Sequence, residues 1–313
     1  MKDRSITAVG THMQSYYGRP VIKEPVWQPE IPFYFFVGGL AGASSVLHVG
    51  ARLAGNERLA RTSLFVGAAA DLASPALLIS DLGRPERFLN MFRVFKVTSP
   101  MSVGSWVLLL SGGASSTAAA LELLGRMPRV KAAAEVVAGF FGPPLATYTG
   151  TLLADTAVPV WHEGRHELPW LFGASASASA GAAAALFTDV GSAGPARRLA
   201  LAGAAGELGL MEAMKRRLGF VGEVYDQGVA GKLARASTLC TAAGSALLAT
   251  GGRRSRAAAV AGGALVLAGG LALRWSVFRA GFQSARDPRY TVIPQRERKA
   301  ARRGEPRPAS GSS

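Results

Sequence analysis

The charges of this chain are crowded into short clusters, and apolar runs of about 16 to 24 residues lie between them. A helix that crosses the hydrocarbon core of a bilayer needs about 20 predominantly apolar residues. The composition, 49% apolar and 18% charged with positive mean hydropathy, would also suit a large soluble protein. The spacing of the charges therefore decides the class, and it predicts an all-α integral membrane protein.

The runs predict eight transmembrane helices within residues 27–280, after a polar tail at residues 1–26 and before a basic tail at residues 281–313. The second tail is rich in charge, which predicts disorder. The predicted spans are residues 32–52, 59–80, 102–124, 133–156, 168–187, 196–214, 236–251 and 257–278. Because the number of spans is even, both termini are expected on the same side of the membrane.

Small residues are unusually frequent, with 38 glycines and runs such as GGLAGAS at residues 38–44. In membrane helices such residues allow backbones to pack closely. A codon bias toward alanine and glycine would produce the same runs, so the pattern alone leaves both explanations open.

The net charge of +15 does not predict a nucleic-acid partner, because the basic residues are spread over helix ends and the C-terminal tail. Of the 35 lysines and arginines, 24 lie on the side of the termini, with residues from Arg274 onward among them, and 11 lie on the other side. The positive-inside rule then predicts cytoplasmic termini and a location in the cytoplasmic membrane. The difference comes from the tails, since the connections alone carry 10 against 11.

Cysteine and histidine usage limits the redox centres that this chain can hold. The single Cys240 excludes a disulfide framework and an all-cysteine iron–sulfur cluster. His48 is the one histidine within a predicted span, so haem ligation by a histidine pair is not expected, and a hydrogen-bonded structural role is favoured. No metal site is predicted, and any electron-carrying centre is expected on a partner.

Three of the acidic residues within predicted spans are candidates for a functional role. Asp71 lies in the middle of span two, Asp155 near the end of span four and Glu207 in span six. An ionised carboxylate in hydrocarbon is costly, so each is a candidate for proton relay. The alternatives are a hydrogen bond within the bundle, for example to Ser74, and an interfacial carboxylate at Asp155.

Span four also contains Pro143 and Pro144, which remove two backbone donors shortly before Tyr148. Irregular backbone at membrane depth is tolerated only beside a cavity or buried protein. The sequence therefore predicts a broken helix next to a site that includes Tyr148.

Residues 81–106 connect spans two and three and combine charge with aromatic side chains. The segment is too charged for hydrocarbon and too apolar for an ordinary solvated loop, which predicts that a partner packs on it. Arg84 and Arg87 are expected to set the loop geometry or to meet an acidic partner surface, and Phe88 and Phe92 to provide the contact.

Three motifs carry a resemblance to a known family: DLGRPERF from Asp81, KVTSPMSVGSW ending at Trp106, and YTGTLLADTAVPVWH at residues 148–162. They resemble the membrane subunits of the NrfD/polysulfide reductase family, and the resemblance covers most of residues 27–280. It implies two four-helix bundles that carry no haem and bind a quinone, either menaquinone or ubiquinone. It also implies a docked ferredoxin-like iron–sulfur subunit that leads to a catalytic molybdopterin-type subunit.

The resemblance further implies that Tyr148 and Asp81 contact the quinone head group. Tyr34 stands where a relative can have histidine. From the residues alone other roles remain open: Tyr148 could be a packing residue, and Asp81 could be a helix end paired with Arg84 or Arg87. At the level of function, a structural anchor without quinone chemistry and a solute or ion transporter are the alternatives.

Overall fold

The computed structural model describes residues 21–81 and 84–303, and within these ranges every regular element is helical. Eight of the helices have 20 or more residues. In chain order the α-helices are α1 (Glu30–Leu53), α2 (Glu57–Asp81), α3 (Pro100–Leu124), α4 (Pro128–Ala154), α5 (Pro159–Glu163), α6 (Leu168–Phe187), α7 (Gly194–Leu218), α8 (Gly228–Thr250), α9 (Arg256–Arg286) and α10 (Arg289–Arg303). Two 3-10 helices, Pro85–Phe92 and Gly219–Asp226, lie in the connections.

Five of these helices, α1, α2, α3, α6 and α9, are long and apolar enough to cross a membrane. The chain is therefore a multi-pass membrane protein. Helices α4, α7 and α8 have 27, 25 and 23 residues, which is sufficient length, but they carry more polar residues. The eight-span count thus stays a prediction for these three.

The long helices form two groups of four, α1–α4 and α6–α9, as the resemblance implies. The groups meet where α1 and α4 pack on α6 and where α1 packs on α9. Helices α1 and α4 cross at Gly42 and Gly142, and a Cβ atom on Gly42 would lie 2.4 Å from the carbonyl oxygen of Gly142. Close packing through small residues, one of the two explanations that the sequence left open, is observed at this crossing.

The broken helix predicted at Pro143 and Pro144 is wrong, because α4 is continuous from Pro128 to Ala154. The two prolines leave the carbonyl oxygens of Gly139 and Phe140 without their usual helical donors. Packing against neighbouring helices allows a helix to continue through proline in a membrane protein.

The C-terminal region also differs from the expected disordered tail. Helix α9 continues to Arg286, and α10 follows, while residues 304–313 lie outside the described residues. Tyr290 is buried and stacks on Phe220 with 5.0 Å between ring centroids, and Arg298 donates to Glu163 over 2.6 Å. These contacts hold α10 against α5 and the second 3-10 helix, which charge composition alone does not indicate.

Trp161 is fully buried, unlike the tryptophans that commonly lie at a membrane interface. Its indole Nε1 donates to the carbonyl oxygen of Val277 over 2.7 Å, and its ring stacks on Trp27 at 5.4 Å between centroids. A Cβ atom on Gly281 of α9 would lie 2.1 Å from the Trp161 ring. Trp161 therefore joins α5, α9 and the segment before α1.

We expect Gly281→Ala to destabilise the protein by about 1 to 3 kcal/mol, because the added methyl group overlaps the Trp161 ring. The thermal unfolding midpoint of the purified protein in detergent measures this effect. Gly209→Ala is the matched control, since a Cβ atom there meets nothing within 4 Å. Equal midpoints for the two variants would show that Trp161 moves aside at little cost.

Candidate functional site

The first bundle has one end at which four residues of interest lie at similar depth. Because α1 to α4 alternate in direction, the start of α1, the end of α2, the start of α3 and the end of α4 share this end, which is also the side of the described chain ends. At a rise of 1.5 Å per residue, Tyr34 and Gly104 lie about 6 Å inside their helices and Tyr148 about 9 Å. Asp81 is the last residue of α2.

Tyr148 packs its ring directly on Gly104. A Cβ atom on Gly104 would lie 2.0 Å from Cε2 of Tyr148 and 2.6 Å from Cδ2, so glycine is required for the ring to hold this position. Tyr148 is half-buried against the main hydrophobic core, and its hydroxyl makes no hydrogen bond to another residue within the described ranges. The site therefore presents a positioned phenol with a free hydroxyl.

Tyr34 lies in the same hydrophobic core and is 2% exposed. Its hydroxyl is buried and has no partner among the described residues. Gly38 lies close to both the Tyr34 ring and α2. A Cβ atom on Gly38 would be 3.9 Å from the ring and 3.8 Å from the hydroxyl oxygen of Ser74, which belongs to α2. The Tyr34 hydroxyl is thus one of several buried donors without a partner in the described part of the chain, and it could bind a ligand at this end of the bundle.

Asp81 contacts the segment before α1 instead of the loop arginines. Its Oδ1 accepts the backbone N–H of Gln28 over 3.1 Å. The alternative in which Asp81 is paired with Arg84 or Arg87 is therefore wrong. The contact places a half-buried carboxylate at the surface end of the bundle, with its second oxygen available.

Asp71 lies about 15 Å deeper along α2 than Asp81. It is buried, its Oδ2 accepts the hydroxyl of Ser115 on α3 over 2.5 Å, and its Oδ1 has no partner among the described residues. The hydrogen bond is made to Ser115 rather than to Ser74, whose hydroxyl donates to the carbonyl oxygen of Ala70. Asp71 therefore places a carboxylate oxygen without a protein partner, among the described residues, inside the first bundle.

The other two candidate relay residues differ in position: Asp155 lies at the surface of the same end of the first bundle, and Glu207 lies in the second bundle. Asp155 is exposed and follows the end of α4, and its backbone N–H donates to Thr151. Glu207 belongs to the second bundle, where it is buried and accepts the hydroxyl of Thr241 over 2.9 Å. The structure therefore groups Tyr34, Asp71, Asp81 and Tyr148 in the first bundle and separates Glu207 from them.

The loop between α2 and α3 covers this end with aromatic rings. Phe92 and Phe95 both contact Trp106 edge to face, at 5.8 and 6.3 Å between centroids, and Phe88 contacts Phe92 at 5.4 Å. Phe88 and Phe92 are half-buried, and contact with a partner through them stays a prediction. The exposed apolar residues of this region are Leu89, Val94, Phe95, Val97 and Met101.

Arg84 and Arg87 are exposed, and neither guanidinium forms an ion pair with another residue in the described ranges. The backbone N–H of Arg87 donates to the carbonyl oxygen of Arg84 over 3.1 Å at the start of the 3-10 helix. Leu82 and Gly83 of the DLGRP motif lie outside the described residues. Both arginines are thus available at the same surface as the exposed apolar residues.

Arg274 is the main residue that the sequence reasoning misplaced. The charge count from the sequence places Arg274 at the membrane surface on the side of the termini. In the structure it is 1% exposed and lies inside the second bundle. Its Nη2 donates to the carbonyl oxygen of Phe172 over 2.9 Å, and its guanidinium carbon lies 4.0 Å from the centroid of the Phe172 ring. Glu207 is its acidic neighbour. Arg274 lies within the apolar run of residues 257–278, and this position in the sequence could have indicated a buried arginine.

His48 is hydrogen-bonded at the opposite end of the first bundle, as predicted. Its Nδ1 lies 2.8 Å from the carbonyl oxygen of Ala60, and its Nε2 lies 3.3 Å from Glu135, which also accepts from Arg52 over 2.9 Å. Within the described ranges, no three His, Cys, Asp or Glu side chains come together in a way that could hold a metal ion.

These features define a helical multi-pass membrane protein with a polar site inside one of its two bundles. The family model described as "Polysulphide reductase, NrfD" matches residues 20–214 of the chain. The chain belongs to the NrfD family, whose members are membrane subunits of quinone-linked oxidoreductase complexes. A search of curated proteins finds no match. The family match includes the whole first bundle and ends within α7.

Proposed function

We propose that this chain is the quinone-reactive, membrane-anchoring subunit of a molybdopterin and iron–sulfur oxidoreductase. In this proposal electrons pass between the membrane quinone pool, menaquinone or ubiquinone, and a docked iron–sulfur subunit that leads to the catalytic subunit. The observation that supports it most directly is the Tyr148 ring seated on Gly104, with the free hydroxyls of Tyr148 and Tyr34 at one end of the first bundle.

The residues at this end fit a quinone head group. A quinone supplies two-electron, two-proton chemistry and presents two carbonyl oxygens, so a site for it needs hydrogen-bond donors and a route for protons. The hydroxyls of Tyr34 and Tyr148 are donors without protein partners in the described ranges, and the buried Nε1 of Trp106 is a third. The surrounding core is apolar, which suits the ring.

Each polar residue then has a distinct task. Tyr148 and Tyr34 orient the head group by donating hydrogen bonds from two different helices. Asp81 exchanges protons with the aqueous surface, because it is half-buried at the end of α2. Asp71 accepts and releases a proton deeper in the bundle, and the Ser115 hydroxyl stabilises its carboxylate once the proton has left. Asp155 and Glu207 are not assigned a part in this site.

The surface above the site fits a protein partner. Exposed Leu89, Val94, Phe95 and Val97 form an apolar area that is unusual for a membrane-surface loop, and Arg84 and Arg87 offer charge beside it. We propose that the iron–sulfur subunit docks here, directly above Tyr148. In this arrangement Phe88 and Phe92 support the loop from beneath by packing toward Trp106.

We also propose that all eight long helices span the membrane, with both termini in the cytoplasm. Helices α4, α7 and α8 are long enough and pack beside α3, α6 and α9, which meet the criteria for a span. Removing the buried Arg274 from the charge count leaves the excess of basic residues on the side of the termini in place.

Asp81→Asn tests the proposal in the purified complex. The asparagine side-chain oxygen can still accept the backbone N–H of Gln28, so the geometry is kept while the titratable group is lost. We expect the quinone-linked rate to fall by about tenfold or more, since proton transfer by a positioned side chain typically contributes at least that much. The dye-linked activity of the catalytic subunit should be unchanged.

Glu86→Gln is the matched control, because Glu86 is an exposed carboxylate in the same loop. A normal quinone-linked rate in Asp81→Asn would remove Asp81 from the site. If Tyr148→Phe and Tyr34→Phe also retained the full rate, the chain would be a structural anchor, and quinone chemistry would have to lie elsewhere in the complex.

A further inference from the structure

A groove of about 650 Å³ opens between the two bundles, on a side of α2 that is separate from the candidate quinone site. It is lined by α1, α2, α6 and α9, and its surface is almost entirely apolar, with Val37, Leu40, Phe65 and Leu267 among its residues. None of the residues assigned to quinone lines it. The volume falls within the usual range of about 300 to 1,000 Å³ for small-molecule sites.

The length and direction of the groove match one leaflet of a bilayer. On α2 it extends from Thr62 to Ala73, a rise of about 16 Å. The hydrocarbon core is about 30 Å thick, so this rise corresponds to about half of its thickness. Phe187, the last residue of α6, lies at its surface end. These dimensions are those of an acyl chain in a single leaflet.

The surface end of the groove continues into a second depression of about 390 Å³ that contains Arg58 and Arg61. The two depressions share Thr62, Phe65 and Phe187, so they form one continuous site. Arg58 lies 2.9 Å from Asp189, but both side chains are more than 70% exposed. Arg61 lies 3.5 Å from Glu122 and is 61% exposed, whereas Glu122 is 23% exposed. Exposed pairs such as Arg58 with Asp189 are weak, and both guanidinium groups remain accessible at the surface.

The charge of this membrane face is complementary to a phosphate. Its four connections and the adjoining helix ends, at residues 52–61, 122–135, 188–198 and 250–256, carry eleven basic residues against four acidic ones. Arg256 donates to the carbonyl oxygens of Ala185 and Thr188 at the end of α6, close to the rim. Guanidinium groups bind phosphate well because their planar donors match its oxygens.

We propose that this groove is a binding site for one anionic phospholipid of the leaflet opposite the termini. Its phosphate is held by Arg58 and Arg61, and an acyl chain fills the groove between α2 and the second bundle. The bound lipid then seals the seam between the bundles at a place where α1, α2, α6 and α9 leave apolar surface uncovered. This site is independent of the proposed quinone chemistry.

Native mass spectrometry of the purified complex, after delipidation and addition of phosphatidylglycerol or phosphatidylcholine, tests the proposal. We expect one phosphatidylglycerol to be retained more tightly than phosphatidylcholine. In the double variant Arg58→Gln with Arg61→Gln, this retention should fall by on the order of twentyfold, because each arginine near a membrane surface contributes about fivefold. The matched control Arg126→Gln, an exposed arginine of the same face, should retain the lipid.

A second variant tests the groove without touching the arginines. Ala69→Phe places a ring in the groove from an exposed position of α2, and it should also abolish retention, whereas Ala120→Phe at an exposed position of α3 should not. Equal retention in all variants, or equal binding of the two lipids, would overturn the proposal. Recovery of quinone rather than phospholipid from the groove would overturn it as well, by assigning the groove to an isoprenoid tail.

Discussion

Tyr148→Phe is expected to lower the quinone-linked rate of the complex by on the order of tenfold to a hundredfold, while the dye-linked activity of the catalytic subunit stays the same. The substitution keeps the ring on Gly104 and removes only the hydroxyl. A hydrogen bond to a group that gains charge contributes about 1.5 to 3 kcal/mol, which corresponds to this range of rates. Quinol-dependent and dye-dependent turnover of the same preparation measure the two activities.

Gly104→Ala tests the same contact from the opposite helix. Its methyl group would overlap the Tyr148 ring, so the phenol must move although its chemistry is unchanged. We expect a loss of quinone-linked rate similar to that of Tyr148→Phe. Gly113→Ala, on the same helix with nothing within 4 Å of the added atom, should have the normal rate.

The pair of variants separates chemistry from packing. If Tyr148→Phe is active and Gly104→Ala is not, the ring serves to pack α3 against α4, and the hydroxyl has no part in the reaction. If both have the normal quinone-linked rate, Tyr148 does not belong to the site. Either outcome contradicts the role proposed for its hydroxyl.

Arg274→Met is expected to destabilise the protein by about 2 to 4 kcal/mol, because a buried hydrogen bond from a charged group and a desolvated cation–π contact are both removed. The variant loses the hydrogen bond to the carbonyl oxygen of Phe172 and the contact with the Phe172 ring. It also leaves Glu207 buried without its cationic neighbour. The thermal unfolding midpoint in detergent, together with the yield of assembled protein, measures the loss.

The double variant Arg274→Met with Glu207→Gln should recover part of this stability, because the second substitution removes the uncompensated carboxylate. Arg279→Met is the matched control. Its guanidinium is exposed and lies 5.5 Å from the centroid of the Trp275 ring, so the expected change is small. Equal losses for Arg274→Met and Arg279→Met would show that the buried guanidinium is not needed for stability.

Much of the helical framework could be predicted from local sequence features. The start of α6 at Leu168 and the end of α3 at Leu124 coincide with the predicted bounds, because charges and glycines mark them. Helix α8 begins at Gly228 rather than at residue 236, and α9 extends to Arg286 rather than to residue 278. Polar helix ends that continue past an apolar run give no hydropathy signal.

The sequence allowed individual residues of the candidate site to be predicted, but not the contacts that these residues make. Tyr34, Asp81 and Tyr148 were singled out, and the structure places them at one end of the first bundle. Their partners were not predictable: Gln28 for Asp81 and Gly104 for Tyr148 are each more than 40 positions away along the chain. Such pairs depend on how helices are rotated and staggered against each other.

The sequence by itself determined the class of this protein, because membrane spans are specified by local runs of apolar residues and the motifs around Asp81 and Tyr148 identify the family. Only the tertiary structure showed that Trp161 is buried and joins α5, α9 and the segment before α1. It also showed that Arg274 lies inside the second bundle and that a groove extends from Arg58 and Arg61 along α2. The reason is physical. Hydropathy indicates whether a helix as a whole lies in water or in the membrane. The contacts of a single side chain depend instead on packing between helices that are distant in sequence.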